Sequence, residues 1–148
     1  MKLQPFPFSP QRSNHPPPLP TILLVEDEPF VREATRCILE SAGFKVLAAE
    51  DAAAALKMYE ESGAIHLVVT DMILPGRTGE QLGEELRQRA PNIRVLITSG
   101  YSQAGQTTEN VSANTSFLAK PYSRSELVGK ISEILNPPPL REVAGEAG

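Results

Sequence analysis

Thr21-Ile-Leu-Leu-Val-Glu-Asp-Glu-Pro29 sets an apolar run directly against a cluster of acids and a proline. A short apolar run without polar alternation predicts a strand covered on both faces, as central parallel strands are. Glu28 then stands as a helix N-cap with Pro29 at the first helical position, where a missing N–H costs nothing. A helix should follow, so Glu26 and Asp27 fall at the carboxyl end of a buried strand.

The same arrangement recurs along the chain. Asp71 follows the run Ile65 to Thr70, Ser99 follows Ile93 to Thr98, and Lys120 follows Phe117 to Ala119. Between these strands lie helical patterns. Val31, Ala34, Thr35, Ile38, Leu39 and Ala42 recur at three and four spacing, and Gly43 supplies a left-handed stop before a second strand, Phe44 to Ala48. Asp51 caps a helix over Ala52 to Glu61, with Ala52, Ala55, Leu56 and Tyr59 on one face. Thr78 with Gln81, and Ser123 with Glu126, read as capping boxes. The first opens a helix with Leu82, Leu86 and Ala90 inward. The second opens one with Leu127, Val128, Ile131, Ile134 and Leu135 inward. Ser102 to Val111 is the weakest helical pattern, because Gly105, Thr107, Thr108 and Asn110 are poor helix formers.

Five strands alternating with five helices specify an α/β fold, a doubly wound five-stranded parallel sheet with helices on both faces. The flavodoxin-like order 2-1-3-4-5 is expected. It makes the first and third strands neighbours at the switch point, where a crevice opens at the carboxyl edge. Residues 21–136 form the domain. The proline-rich stretch 1–20 and the segment 137–148 read as disordered tails, linkers rather than folded structure.

Charge and composition exclude several functions. The chain carries a net charge of −4, and within 21–136 sixteen Asp and Glu outnumber eleven Lys and Arg. Such a surface argues against wrapping nucleic acid. Cys37 is the only cysteine, so neither an internal disulfide nor a cysteine metal cluster is expected, and a reducing, cytoplasmic setting fits. No apolar stretch approaches the roughly 20 residues that span a membrane, and the start lacks the continuous apolar segment of a signal peptide.

Taken singly, each charged strand end has an ordinary reading. Asp71 serves as a solvated loop charge, Glu26 as a favourable charge at a helix start, Lys120 as an exposed cation and Ser99 as a cap. Together at adjacent strand ends they describe a site. Carboxylates brought this close repel unless a cation neutralises them, and hard oxygen donors suit Mg2+, with Mn2+ as a substitute. Asp71, ionised at neutral pH, is then a candidate nucleophile toward phosphorus, with Lys120 and Ser99 available to the phosphoryl oxygens. His66 reads as a structural residue at strand entry, Cys37 as an ordinary helix residue and Tyr101 as a loop aromatic. The Lys120-Pro121 bond is an X-Pro bond whose base rate favours trans.

The segments Ile22-Leu-Leu-Val-Glu-Asp-Glu-Pro29, Val68-Val-Thr-Asp-Met-Ile-Leu-Pro-Gly-Arg-Thr-Gly79, Val95-Leu-Ile-Thr-Ser-Gly-Tyr101 and Phe117-Leu-Ala-Lys-Pro-Tyr122 resemble the receiver domain of two-component response regulators. Four motifs in order carry this resemblance, and the Ser-Gly-Tyr and Lys-Pro-Tyr wording is most similar to receivers of hybrid sensor histidine kinases. It implies that Asp71 is the phosphoacceptor, charged from a histidine kinase or phosphotransfer protein. It also implies that Glu26, Asp27, Asp71 and the Ile73 carbonyl hold the metal, Glu26 through water. Lys120 matches the family's lysine, and Ser99 and Phe117 its switch pair. Catalysis would be limited to uptake and loss of the chain's own phosphoryl group, slow in loss because Ile73 and Tyr101 crowd the water's path. With about a dozen residues after Asn136, output is expected through a partner protein, or the chain is a piece of a larger one. Two alternatives stand beside this: a binding module indifferent to phosphorylation, and an aspartate-nucleophile phosphatase. The phosphatase is disfavoured because Ile73 occupies the place of its general acid.

Overall fold

The computed structural model describes residues 19–100 and 114–136. Five strands form one parallel sheet: β1 (Thr21–Val25), β2 (Lys45–Ala49), β3 (Leu67–Asp71), β6 (Val95–Gly100) and β7 (Thr115–Lys120). Two short strands, β4 (Ile73–Leu74) and β5 (Arg77–Thr78), form a separate antiparallel ribbon. The helices are α1 (Pro29–Ser41), α2 (Ala52–Ser62), α3 (Gly79–Arg89) and α4 (Arg124–Leu135). Sheet order is β2-β1-β3-β6-β7, the expected flavodoxin-like order once the ribbon is set aside. The helical pattern at Ser102 to Val111, Tyr101, residues 1–18 of the N-terminal tail and the segment 137–148 lie outside the described residues.

Alternation along the strands divides the core in two. Leu23, Val25, Val68, Val95 and Ile97 point to one face, under Ala52 and Ala55 of α2 and Leu82 and Leu86 of α3. Ile22, Leu24, Leu67, Val69 and Leu96 point to the other, under Leu39 of α1 and Leu127 and Ile131 of α4. Both faces are covered, which is why the strands read as unbroken apolar runs. Each fully buried Leu or Ile contributes about 1.5–3 kcal/mol by leaving water.

The helix starts follow their local chemistry. Glu28 accepts from the Phe30 N–H at 3.1 Å and Asp51 from the Ala54 N–H at 2.8 Å. Both capping boxes form in full, at Thr78 with Gln81 and at Ser123 with Glu126. Three expectations are corrected. Val31 and Ala34 are exposed rather than inward: they line a solvent-open hollow with Pro121 and Tyr122, and only Thr35 and Leu39 of α1 are buried. Val128 is half-buried and outside the core clusters. The first strand has the expected bounds, but the other four sheet strands end one or two residues later than expected, so Asp71 and Lys120 end their strands instead of following them, and Ser99 lies within β6. The Lys120–Pro121 bond is cis, against its base rate.

The ribbon seats the end of β3. Pro75 and Gly76 connect its strands, and Gly76 has φ +79, the positive angle a type II turn requires at its third residue. Gly79 opens α3 with its N–H donating to the Met72 carbonyl at 2.6 Å. A Cβ there would lie 2.5 Å from the Asp71 carbonyl oxygen, so only glycine lets the helix start this close to the strand.

Candidate functional site

Parallel register brings the site together. Val25 pairs with Thr70, Asp71 with Thr98 and Gly100 with Lys120, so the carboxyl ends of β1, β3, β6 and β7 meet along one edge. Backbone hydrogen bonds continue past the strand ends: the Glu26 N–H donates to the Ala49 carbonyl at 3.1 Å, and the Met72 N–H to the Thr98 carbonyl at 2.8 Å. The residues flanking the acids are therefore held at the sheet's spacing.

Carboxylate oxygens of Glu26, Asp27 and Asp71 all lie within 4.8 Å of one another. Glu26 is 6% exposed, Asp71 is half-buried and Asp27 faces solvent. Lys120 reaches in from β7, with Nζ 3.2 Å from Asp71 Oδ1 and 4.0 Å from Glu26 Oε1. Burial pushes the Glu26 carboxyl above the ordinary glutamate value, opposed by the Glu28 N–H that donates to it at 3.2 Å. The negative charge of Asp71 adds to the rise, and Lys120 works against it.

One ammonium does not balance three carboxylates. A divalent cation on these oxygens would, and three hard donors open to solvent on the Asp27 side fit an ion that keeps part of its water. Ser99 is 1% exposed and its Oγ has no hydrogen-bond partner among the described residues. A buried hydroxyl left unpaired is costly, and on β6 it stands beside the strand that ends in Asp71, one residue beyond its register partner Thr98. The arrangement suits a tetrahedral anion joined to Asp71, with Lys120 and Ser99 left to pair its oxygens.

Ile73 opens β4 two residues after Asp71, with its side chain exposed. Phe117 is half-buried against the core face shared with α2 and α3. His66 behaves as a strand-entry residue, its Nδ1 accepting from the Thr21 N–H at 2.9 Å. Cys37 is exposed on α1.

The sequence reading missed three features. Arg32 of α1 donates from Nη1 to the Glu26 carbonyl at 2.8 Å. Tyr122 is half-buried, and its burial raises the phenol above the ordinary value while a hydrogen bond with Thr35 opposes the rise. A shallow apolar hollow lined by Phe30, Val31, Ala34, Thr35, Pro121 and Tyr122 adjoins Gly100 and Lys120 at the mouth of the site. The exposed pair Phe30-Val31 beside Pro29 was the available signal for the hollow. The other two are contacts that match neither helical nor strand spacing, one of them six residues apart along the chain. No helix among the described residues is long and apolar enough to cross a membrane.

Comparison with known proteins agrees with this geometry. A family model of the response regulator receiver domain matches residues 22–132. The sensor kinase CckA of Brucella abortus (strain 2308) is 37% identical over 117 residues, covering 78% of this chain and 12% of that kinase. The sensory transduction protein RegX3 of Mycolicibacterium smegmatis is 30% identical over 115 residues, 78% of this chain and 50% of its own. The chain thus spans half or less of these two relatives. Among solved structures, the receiver domain of the hybrid histidine kinase CckA superposes with a TM-score of 0.68 at 32% identity, covering 78% of this chain and 99% of that one. The response regulator TrrA of Thermotoga maritima, solved in complex with Mg(2+)-BeF, gives 0.70 at 28% identity, covering 79% and 100%. A sheet of this order, an acidic cluster at its carboxyl edge and a family match across three quarters of the length lead to one conclusion: the chain belongs to the response regulator receiver domain family of two-component signalling.

Proposed function

We propose that Asp71 is a phosphoacceptor, charged from the phosphohistidine of a kinase or phosphotransfer protein in the cytoplasm. The carrying observation is the 3.2 Å contact between Lys120 Nζ and Asp71 Oδ1, inside a cluster whose other carboxylates lie within 4.8 Å. An Asp71 oxygen attacks phosphorus, an O–P bond forms, the N–P bond to the donor imidazole breaks, and that nitrogen keeps the electron pair. Lys120 follows the charge onto the transferred oxygens, and Ser99 provides a hydroxyl to one of them.

Glu26, Asp27, Asp71 and the Ile73 carbonyl are the groups that would hold Mg2+, or Mn2+ in its place. Bound there, the ion would neutralise the acids and the incoming phosphoryl charge. The hollow formed by Phe30, Val31, Ala34, Pro121 and Tyr122 is the face a kinase or phosphotransfer helix would cover, since it borders the site and presents apolar side chains to solvent. Ser99 and Phe117 would carry the phosphorylated state to an effector protein. Residues 21–136 make up the domain, and 1–20 and 137–148 serve as linkers.

Incubation with a partner carrying labelled phosphohistidine tests the reading. Label should pass to the wild type in the presence of Mg2+, and neither to Asp71→Asn nor to the wild type after chelation. Transfer that survives either change would overturn it.

A further inference from the structure

We propose that Arg32 is a positioning residue for the cation site, fixing the acidic pair Glu26 and Asp27 through the main chain of Glu26. This rests on the reading that those carboxylates hold a divalent cation. Arg32 lies on α1, half-buried, and its Nη1 donates to the Glu26 carbonyl at 2.8 Å across six residues. The Glu26 N–H is held from the other side by Ala49, at 3.1 Å. The backbone of Glu26 is therefore pinned at both ends, by β2 and by the first helix.

The junction is closed by three further bonds. The Glu28 N–H donates to Glu26 Oε2 at 3.2 Å, the Phe30 N–H to Glu28 Oε1 at 3.1 Å and the Arg32 N–H to the Glu28 carbonyl at 2.8 Å. The last of these is ordinary helix ladder, the first uses the Glu26 carboxylate that a bound cation would also take, and the second uses the solvent-exposed Glu28 carboxylate. The Arg32 guanidinium is the one side chain that holds the Glu26 carbonyl among the described residues.

Asp27 depends on this clamp. Its side chain accepts no hydrogen bond among the described residues, and it is exposed, so its place is set by the peptide joining it to Glu26. The largest charge effects on the Glu26 carboxyl come from Asp71, Lys120 and Asp27. The Arg32 guanidinium bonds the main-chain carbonyl and none of the three carboxylates, so its hold on the site is through the backbone. Mg2+ demands near-ideal octahedral placement of its oxygens, so a peptide free to swing weakens the site without removing a ligand. Loss of a partner that orients metal ligands typically weakens metal binding about 10- to 100-fold. The other junction bonds remain in an Arg32 variant, which puts the expected loss near the low end.

The test is Mg2+ affinity by titration calorimetry on the full chain, beside urea unfolding without metal and labelling by a small acyl phosphate. Arg32→Met keeps the stem and removes every donor; it should weaken Mg2+ about tenfold while the labelling rate at saturating Mg2+ stays near wild type. Arg32→Lys, which restores one donor, should recover part of the affinity. Unchanged Mg2+ affinity in Arg32→Met, with only its unfolding midpoint lowered, would overturn the proposal. If Arg32→Met does not fold, Arg32→Gln is read by the same criterion. A wild type that binds no Mg2+ would instead overturn the proposed function on which this rests.

Discussion

Lys120 Nζ sits 3.2 Å from Asp71 Oδ1 and 4.0 Å from Glu26 Oε1, so one ammonium answers two of the three acids at the site. It competes with a bound cation for the same oxygens, yet it is the group placed to meet charge on a transferred phosphoryl. Lys120→Met should therefore have opposite effects on the two. Mg2+ should bind as tightly or more tightly, while phosphoryl uptake from a small donor falls by about 10²–10³, the range for losing one preorganised charge-stabilising group. Calorimetry and a labelling time course measure both, and a fall in both would contradict the assigned role.

Ser99 is 1% exposed and its hydroxyl has no hydrogen-bond partner among the described residues. Ser99→Ala removes that desolvation cost, about 1–3 kcal/mol for an unsatisfied buried group. The unphosphorylated variant should unfold at the same urea concentration as wild type or a higher one. Its change in partner affinity on phosphorylation should be lost. A markedly lower midpoint would mean that the hydroxyl is already satisfied.

Glu26 titrates above its ordinary value of 4.5 because it is buried beside Asp71. The folded chain then binds more protons than the unfolded chain between that value and the raised one, so metal-free stability falls as pH rises through this window. The Glu26 contribution is fully present below about 4.5 and gone above the folded value. Urea midpoints of the metal-free protein across mildly acidic pH should show this decline, and Glu26→Gln should flatten it. An equal slope in the variant would assign the decline elsewhere.

Phe30 is 84% exposed, so its replacement leaves the fold nearly untouched, within about 0.5 kcal/mol for a surface change. Phe30→Ser should slow transfer from a phosphohistidine partner and leave labelling by a small acyl phosphate unchanged. Equal slowing of both would remove the hollow from the docking account.

Much of this was legible in the sequence because it is local. The caps at Glu28, Asp51, Thr78 and Ser123 lie within three residues of the N–H groups they satisfy. The buried runs of β1, β3 and β6 needed only their apolar continuity. The acidic cluster followed from placing strand ends together. What stayed hidden needed the third dimension. Val31 and Ala34 fit the helical stripe of Leu39, but in the fold they face the open hollow beside Pro121 and Tyr122 and stay exposed. The ribbon of β4 and β5 is two residues per strand, too short for any period, and only Pro75-Gly76 marked its turn. Arg32 on Glu26 is six residues away along the chain, beyond the three- and four-residue reach of helix patterns.

The central claim is that Asp71 takes up one phosphoryl group with Lys120 and a cation at its side. Intact-mass measurement after incubation with a small acyl phosphate and Mg2+ tests it most directly, on wild type and Asp71→Asn in parallel. The account predicts one added phosphoryl on the wild type, lost on acid treatment and absent without Mg2+, and none on Asp71→Asn. The same addition on Asp71→Asn, or an acid-stable one on the wild type, would contradict it.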